Sequence, residues 1–246
     1  MTKRHLKLTA VTLAITAALS LAACGGEPDH PEETYDYQID MNDYNNAITK
    51  QDEVYLLLAN KKTMLGSDYA PKSLSKVPTE LTLYGKEIQL ESNVALAAEA
   101  LVRELHACGY TDIVVTSGYR SYEYQQGLFN TYLGQEMAAH PDWSRKQCEE
   151  EVLTYSAFPG TSEHQTGLCM DLISVDHVSL DETFAKNPAY AWLVENAHHF
   201  GFILRYPSDK TDITGYSYEP WHYRFVGVKA ATAIHEEGLT LEEYLD

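Results

Sequence analysis

Two short polar segments, far apart in the chain, constrain this sequence more than any other feature. Ser162-Glu163-His164-Gln165-Thr166-Gly167-Leu168-Cys169-Met170-Asp171 sets a histidine before a glycine-permitted turn and an aspartate on the apolar stretch leaving it. Glu219-Pro220-Trp221-His222 places a carboxylate and an imidazole either side of a proline. Proline breaks regular strand pairing, so Glu219 and His222 need not alternate as in a flat strand. If the fold brings the segments together, His164, Asp171 and His222 offer two nitrogens and one oxygen. Zinc accepts such a set, and three protein donors leave a fourth position open for chemistry. Glu219 would then stand beside that position as an unligated base. On spacing alone, Glu163 or Asp176 could replace Asp171, and any of these histidines could equally be a hydrogen-bonded core residue. The rest of the ten His carry no comparable grouping of carboxylate, glycine and aromatic residues.

The surrounding pattern is α+β. Apolar positions from Val94 to Cys108 recur at helical spacing, with Gly109 as C-cap. Asp112–Thr116 reads as a short buried strand. Ser121 can cap a helix reaching about Ala139, and Ser144–Tyr155 reads as another helix. Leu168–Ser174 reads as a strand on which Cys169, Asp171 and Ile173 share a face. Asn187-Pro188 opens a helix that Gly201 ends. Strands are expected at Phe202–Tyr206 and Tyr223–Val226, and helices at Val228–Glu237 and after the capping box at Thr240. The apolar run Val54–Leu58 is of strand length, and residues 60–90 look loop-rich. No phosphate-binding glycine loop, GxSxG elbow or internal repeat occurs.

The 246 residues suffice for one sizeable domain plus extras. With 18 Lys+Arg against 36 Asp+Glu, the net charge of −18 argues against nucleic-acid binding, which needs clustered cations. The charge is unevenly spread. Residues 1–23 hold Lys3, Arg4 and Lys7 and no acid, and an apolar run from Leu8 to Ala23 follows the basic start. This is the order of a secretory signal. Leu21-Ala22-Ala23-Cys24 resembles a bacterial lipobox, which implies lipidation at Cys24, a membrane tether and an extracytoplasmic location. Residues 24–51, rich in Gly, Pro and acids, read as a flexible tether, with Tyr35, Tyr37 and Ile39 alternating as though part of it could dock. The folded domain is expected over 52–246, as a monomer. Of the four cysteines, Cys108, Cys148 and Cys169 remain after Cys24. Three is odd, so at most one pair can form; Cys108 with Cys148 is the expected one, with no spacing rule behind it.

SxHxxGxxxD followed by ExWH resembles the zinc D-Ala-D-Ala carboxypeptidases of the VanY type, within the LAS metallopeptidases. Ser117-Gly118-Tyr119-Arg120-Ser121 with Gln125-Gln126, Asn196-Ala197-His198-His199-Phe200-Gly201-Phe202, and Tyr55-Leu56-Leu57-Leu58-Ala59-Asn60-Lys61 are similar as well. The resemblance runs from about residue 52 to the C-terminus. It implies a small central antiparallel sheet with flanking helices and a Zn2+ cofactor. It makes His164, Asp171 and His222 the zinc ligands and Glu219 the catalytic base. Arg120 becomes a substrate-binding or transition-state-stabilising residue, with Ser162, Gln126 and Ser121 as weaker substrate contacts. Peptidoglycan stem peptides would be the substrates, losing a C-terminal D-Ala through zinc-activated water. An L,D-carboxypeptidase, an endopeptidase, or a non-catalytic wall-binding lipoprotein would share the motifs. Cys169 departs from the family, which usually has Ala there; buried filler is the expected role, since Cys packs as a small apolar group.

Overall fold

The computed structural model describes residues 35–246; the expected signal, Cys24 and the first part of the tether lie outside them. In chain order the elements are α1 (Asn45–Ile48), β1 (Leu74–Lys76), β2 (Gln89–Glu91), α2 (Ser92–Ala107), β3 (Ile113–Ser117), α3 (Tyr122–Ala139) and α4 (Arg145–Tyr155). There follow β4 (Cys169–Ser174), α5 (Pro188–Asn196), β5 (Phe202–Leu204), α6 (Thr211–Thr214), β6 (His222–Phe225), α7 (Val228–Glu237) and α8 (Leu241–Leu245). Among the described residues, no helix is long and apolar enough to cross a membrane.

The centre is a four-stranded sheet of order β3-β4-β6-β5, antiparallel throughout. β1 and β2 form a separate antiparallel pair. Helix α2 contributes Val94, Ala98, Leu101 and Leu105 to the main core, which also holds Leu168, Met170, Leu172 and Phe225 of the sheet region. Its small residues matter: Ala95, Ala97, Ala98 and Ala100 are all nearly inaccessible, so the backbone lies close to its neighbours. The expected caps form. Ser121 accepts from Tyr124 N, and Ser144 with Gln147 and Thr240 with Glu243 make reciprocal capping boxes.

Three expectations change. Val54–Leu58 is not a strand: Glu53–Leu56 is a single 3-10 turn capped by Asp52. Its carbonyls explain this, because Tyr55 O and Leu57 O accept from Arg224 Nη2 at 3.0 and 2.7 Å and are not free for a ladder. The packed fold also begins before residue 52. Gln38 N and Ile39 N donate to the carboxylate of Glu104, a fully buried acid, while Met41 and Ile48 enter the main core. Tyr35, Tyr37 and Ile39 pack against that core, so residues 35–48 are a docked strap. Finally, Cys108, Cys148 and Cys169 are all free thiols. Cys108 is exposed at the end of α2, whereas Cys148 is sealed between α3 and α4 with Phe129, Leu133 and Val152.

Candidate active site

β4 and β6 bring the two polar segments together. Their register sets Asp171 opposite His222 and Cys169 opposite Arg224. Directly opposed residues present side chains on one face, so Asp171 and His222 meet without any loop contribution. His222 Nδ1 lies 3.0 Å from Asp171 Oδ1. Just ahead of β6, His222 N donates to Glu219 O at 3.1 Å, closing a four-residue turn with Pro220 second, the position proline favours. This turn sets Glu219 Oε2 3.8 Å from His222 Nδ1.

His164 arrives from the other side. It sits in a 3-10 turn, Glu163–Thr166, ended by Gly167 at φ +69°. Glycine is needed here, since a Cβ would also stand 3.0 Å from Pro71 Cγ and 3.1 Å from Glu91 N. His164 Nε2 lies 3.3 Å from Asp171 Oδ2.

The far nitrogens are fixed too. His164 Nδ1 donates to Gly118 O at 2.7 Å, and His222 Nε2 meets Glu163 Oε2 at 3.4 Å. These contacts aim His164 Nε2 and His222 Nδ1 at the space beside Asp171, the outer-shell arrangement that orients imidazole ligands. Burial alone would strip His164 of its proton, as would Arg120, but Cys169 and Asp171 outweigh both and raise it to about 9. His222 is likewise raised despite its burial, and Asp171 is held well below the ordinary carboxylate range by the two imidazoles. Two buried imidazoles thus converge on one buried carboxylate. Two imidazole nitrogens and a carboxylate, all nearly inaccessible to solvent, suit a divalent cation that takes the place of those protons.

Cys169 Sγ joins this group: donor atoms of His164, Cys169 and His222 all lie within 4.8 Å of one another. Burial raises the thiol, but the imidazoles prevail and bring it to about 7. Burial raises the Glu219 carboxyl above its ordinary 4.5, only partly offset by His222.

A network that sequence reasoning missed lies beneath. Glu163, considered above as a substitute ligand, instead takes Arg205 Nε at 2.8 Å and Arg224 Nη1 at 2.7 Å on Oε1. Both arginines are wholly buried, and Arg205 also grips Glu242 of α8 with two bonds, at 2.8 and 2.6 Å. An arginine inside Phe202-Ile203-Leu204-Arg205-Tyr206 was the available signal, because a charge on a buried strand requires a partner.

The cluster floors a cleft of about 680 Å³. Arg120, Ser162 and Glu219 line it with His164, Asp171 and His222, and so do Lys61, Tyr216 and Trp221. Arg120 N donates to His164 O at 3.0 Å, and its Nη1 to Gln125 Oε1 at 3.2 Å; its buried Nε has no partner among the described residues. Two expected substrate contacts do not reach the cleft lining. Ser121 is engaged as the cap of α3, and Gln126 is exposed, since the helix turns Gln125 inward instead.

Comparison with known proteins places the chain in a family. The profile of the VanY family, described as D-alanyl-D-alanine carboxypeptidase, matches residues 87–228. A D-alanyl-D-alanine carboxypeptidase of Enterococcus faecalis (strain ATCC 700802 / V583) is 48% identical over 133 residues, covering 54% of this chain and 47% of that protein. Among solved structures, the LdcB LD-carboxypeptidase is 33% identical with a TM-score of 0.68, covering 80% of this chain and 97% of that one. A vancomycin-resistance D,D-pentapeptidase VanY in complex with Zn(II) is 37% identical with a TM-score of 0.64, covering 78% and 99%. Fold and sequence coincide, and the chain belongs to the VanY family of peptidoglycan carboxypeptidases.

Proposed function

We propose that the protein is a zinc-dependent D,D-carboxypeptidase that removes the C-terminal D-Ala from peptidoglycan stem peptides. The observation that carries this reading is the convergence of His164 Nε2, Asp171 and His222 Nδ1 beneath a cleft that Glu219 borders. His164, Asp171 and His222 hold the metal, which when bound supplies a Lewis acid for the scissile carbonyl and a lowered pKa for water. Glu219 accepts a proton from the attacking water and returns it to the leaving amine. Its raised pKa suits both steps, because a carboxylate closer to neutrality takes and gives a proton more evenly. Arg120 offers its free N–H donors to a substrate oxygen, and its planar fork suits a terminal carboxylate. Ser162 makes no capping bond to its own turn and lines the same wall.

The test uses purified protein with D-Ala-D-Ala-ended pentapeptide and with the tetrapeptide, the products being weighed by mass spectrometry with and without a chelator. Loss of one D-Ala from the pentapeptide alone, abolished by chelation, is the expected result. Cleavage of the tetrapeptide alone would assign the L,D-activity carried by the similar LdcB enzyme. Glu219→Gln should retain zinc and lose about 10²–10⁴ in kcat.

The location is proposed from the sequence: the N-terminal segment directs export, and lipidation at Cys24 anchors the enzyme outside the cell membrane. Intact mass of the membrane-extracted protein, compared with Cys24→Ser, checks this; an unmodified N-terminus would overturn it.

A further inference from the structure

We propose, resting on the metal reading above, that Cys169 is a fourth protein ligand, a thiolate that meets the ion from the buried side of the site. Three observations carry this. First, strand alternation on β4 puts Cys169 on the face of Asp171, and its Sγ stands within 4.8 Å of the imidazole donor atoms of both His164 and His222. Second, Cys169 is fully buried, and the register of β4 and β6 sets it opposite Arg224, a wholly buried guanidinium already committed to Glu163. The groups whose donor atoms face its sulfur are the two imidazoles. Third, Cys169 does not line the cleft, although His164, Asp171 and His222 do. The sulfur therefore approaches from beneath, and water or substrate on the cleft side would take a fifth position, an expansion zinc allows.

Two consequences follow from the chemistry of the donor. A thiol that binds a metal gives up its proton to solvent, and the resulting soft thiolate favours zinc over hard oxygen-seeking cations. The added negative charge also makes the ion a weaker Lewis acid. The site would thus hold zinc more tightly than a His-Asp-His set, at some cost in turnover. Loss of an outer-shell partner already weakens metal binding about 10–100-fold, so Cys169→Ala should weaken zinc binding by at least about tenfold.

X-ray absorption on the zinc-loaded wild-type protein tests ligation directly and does not depend on any variant folding. One sulfur scatterer at about 2.3 Å is expected. The cobalt-substituted protein should show a sulfur-to-metal charge-transfer band that Cys169→Ala and Cys169→Ser both lack. A zinc-loaded, active enzyme with only nitrogen and oxygen neighbours would overturn this proposal and leave the peptidase reading standing. A chain that binds no zinc and cleaves no stem peptide would overturn both.

Discussion

Glu163 shows how much one buried residue can carry. It lies between His222 and the arginines, and its two oxygens serve different ends: Oε1 neutralises Arg205 and Arg224, while Oε2 orients His222. Burial would raise its pKa, but the two guanidinium groups overcome this and hold it far below its ordinary 4.5. A depressed folded-state pKa gives stability that is fully present above about pH 4.5 and is lost as the pH falls toward the folded value. Glu163→Gln should therefore destabilise the fold by about 3–5 kcal/mol near neutrality, since it strands buried charge. It should also flatten the loss of stability below pH 4.5. Urea unfolding across pH checks both. The same variant should weaken zinc binding about 10–100-fold, measurable by chelator competition.

Among the elements, the turn between His164 and β4 and the pairing of β4 with β6 decide the site. A one-residue slip between those strands would turn Asp171 away from His222. The 3-10 turn ending at Gly167 sets where His164 stands, and the positive φ there excludes other residues at low cost. Gly167→Ala should cost about 1–2 kcal/mol from the left-handed backbone alone, with more from the contact to Pro71 Cγ. It should weaken zinc binding as well, while leaving the helices intact by circular dichroism. The helices were legible because capping residues, helical spacing and closing glycines agree locally at Ser121, Ser144, Asn187 and Thr240. The run at Val54–Leu58 was misleading for a physical reason. Five apolar residues satisfy a strand pattern, yet their carbonyls serve an arginine distant in sequence, which no local pattern reveals.

At the scale of the molecule, residues 35–48 belong to the folded body. The strap supplies two amides to Glu104 and two side chains, Met41 and Ile48, to the core. Burying each such side chain is worth about 1.5–3 kcal/mol. Removing residues 1–50 should therefore lower stability by at least about 3 kcal/mol relative to removing residues 1–34, as read from denaturation midpoints. Metal removal should act across the whole fold too, because the proposed ligands come from the 3-10 turn, β4 and β6. Zinc at about a thousand times its Kd should add about 4 kcal/mol to stability, seen as a fall in Tm on chelation.

The sequence alone determined the candidate donor groups and most local structure. Ligand types, their order, the adjacent Glu219 and the helix caps are written in neighbouring residues, where spacing and side-chain chemistry act directly. The tertiary structure decided which groups meet. It turned Glu163 from a possible ligand into the counter-ion of two buried arginines, turned Gln125 rather than Gln126 toward Arg120, and docked residues 35–48 of the expected tether. It also put a thiol beside two imidazoles. These outcomes depend on contacts between residues distant in the chain, and on the need of every buried charge for a partner, which is met only once the chain has folded.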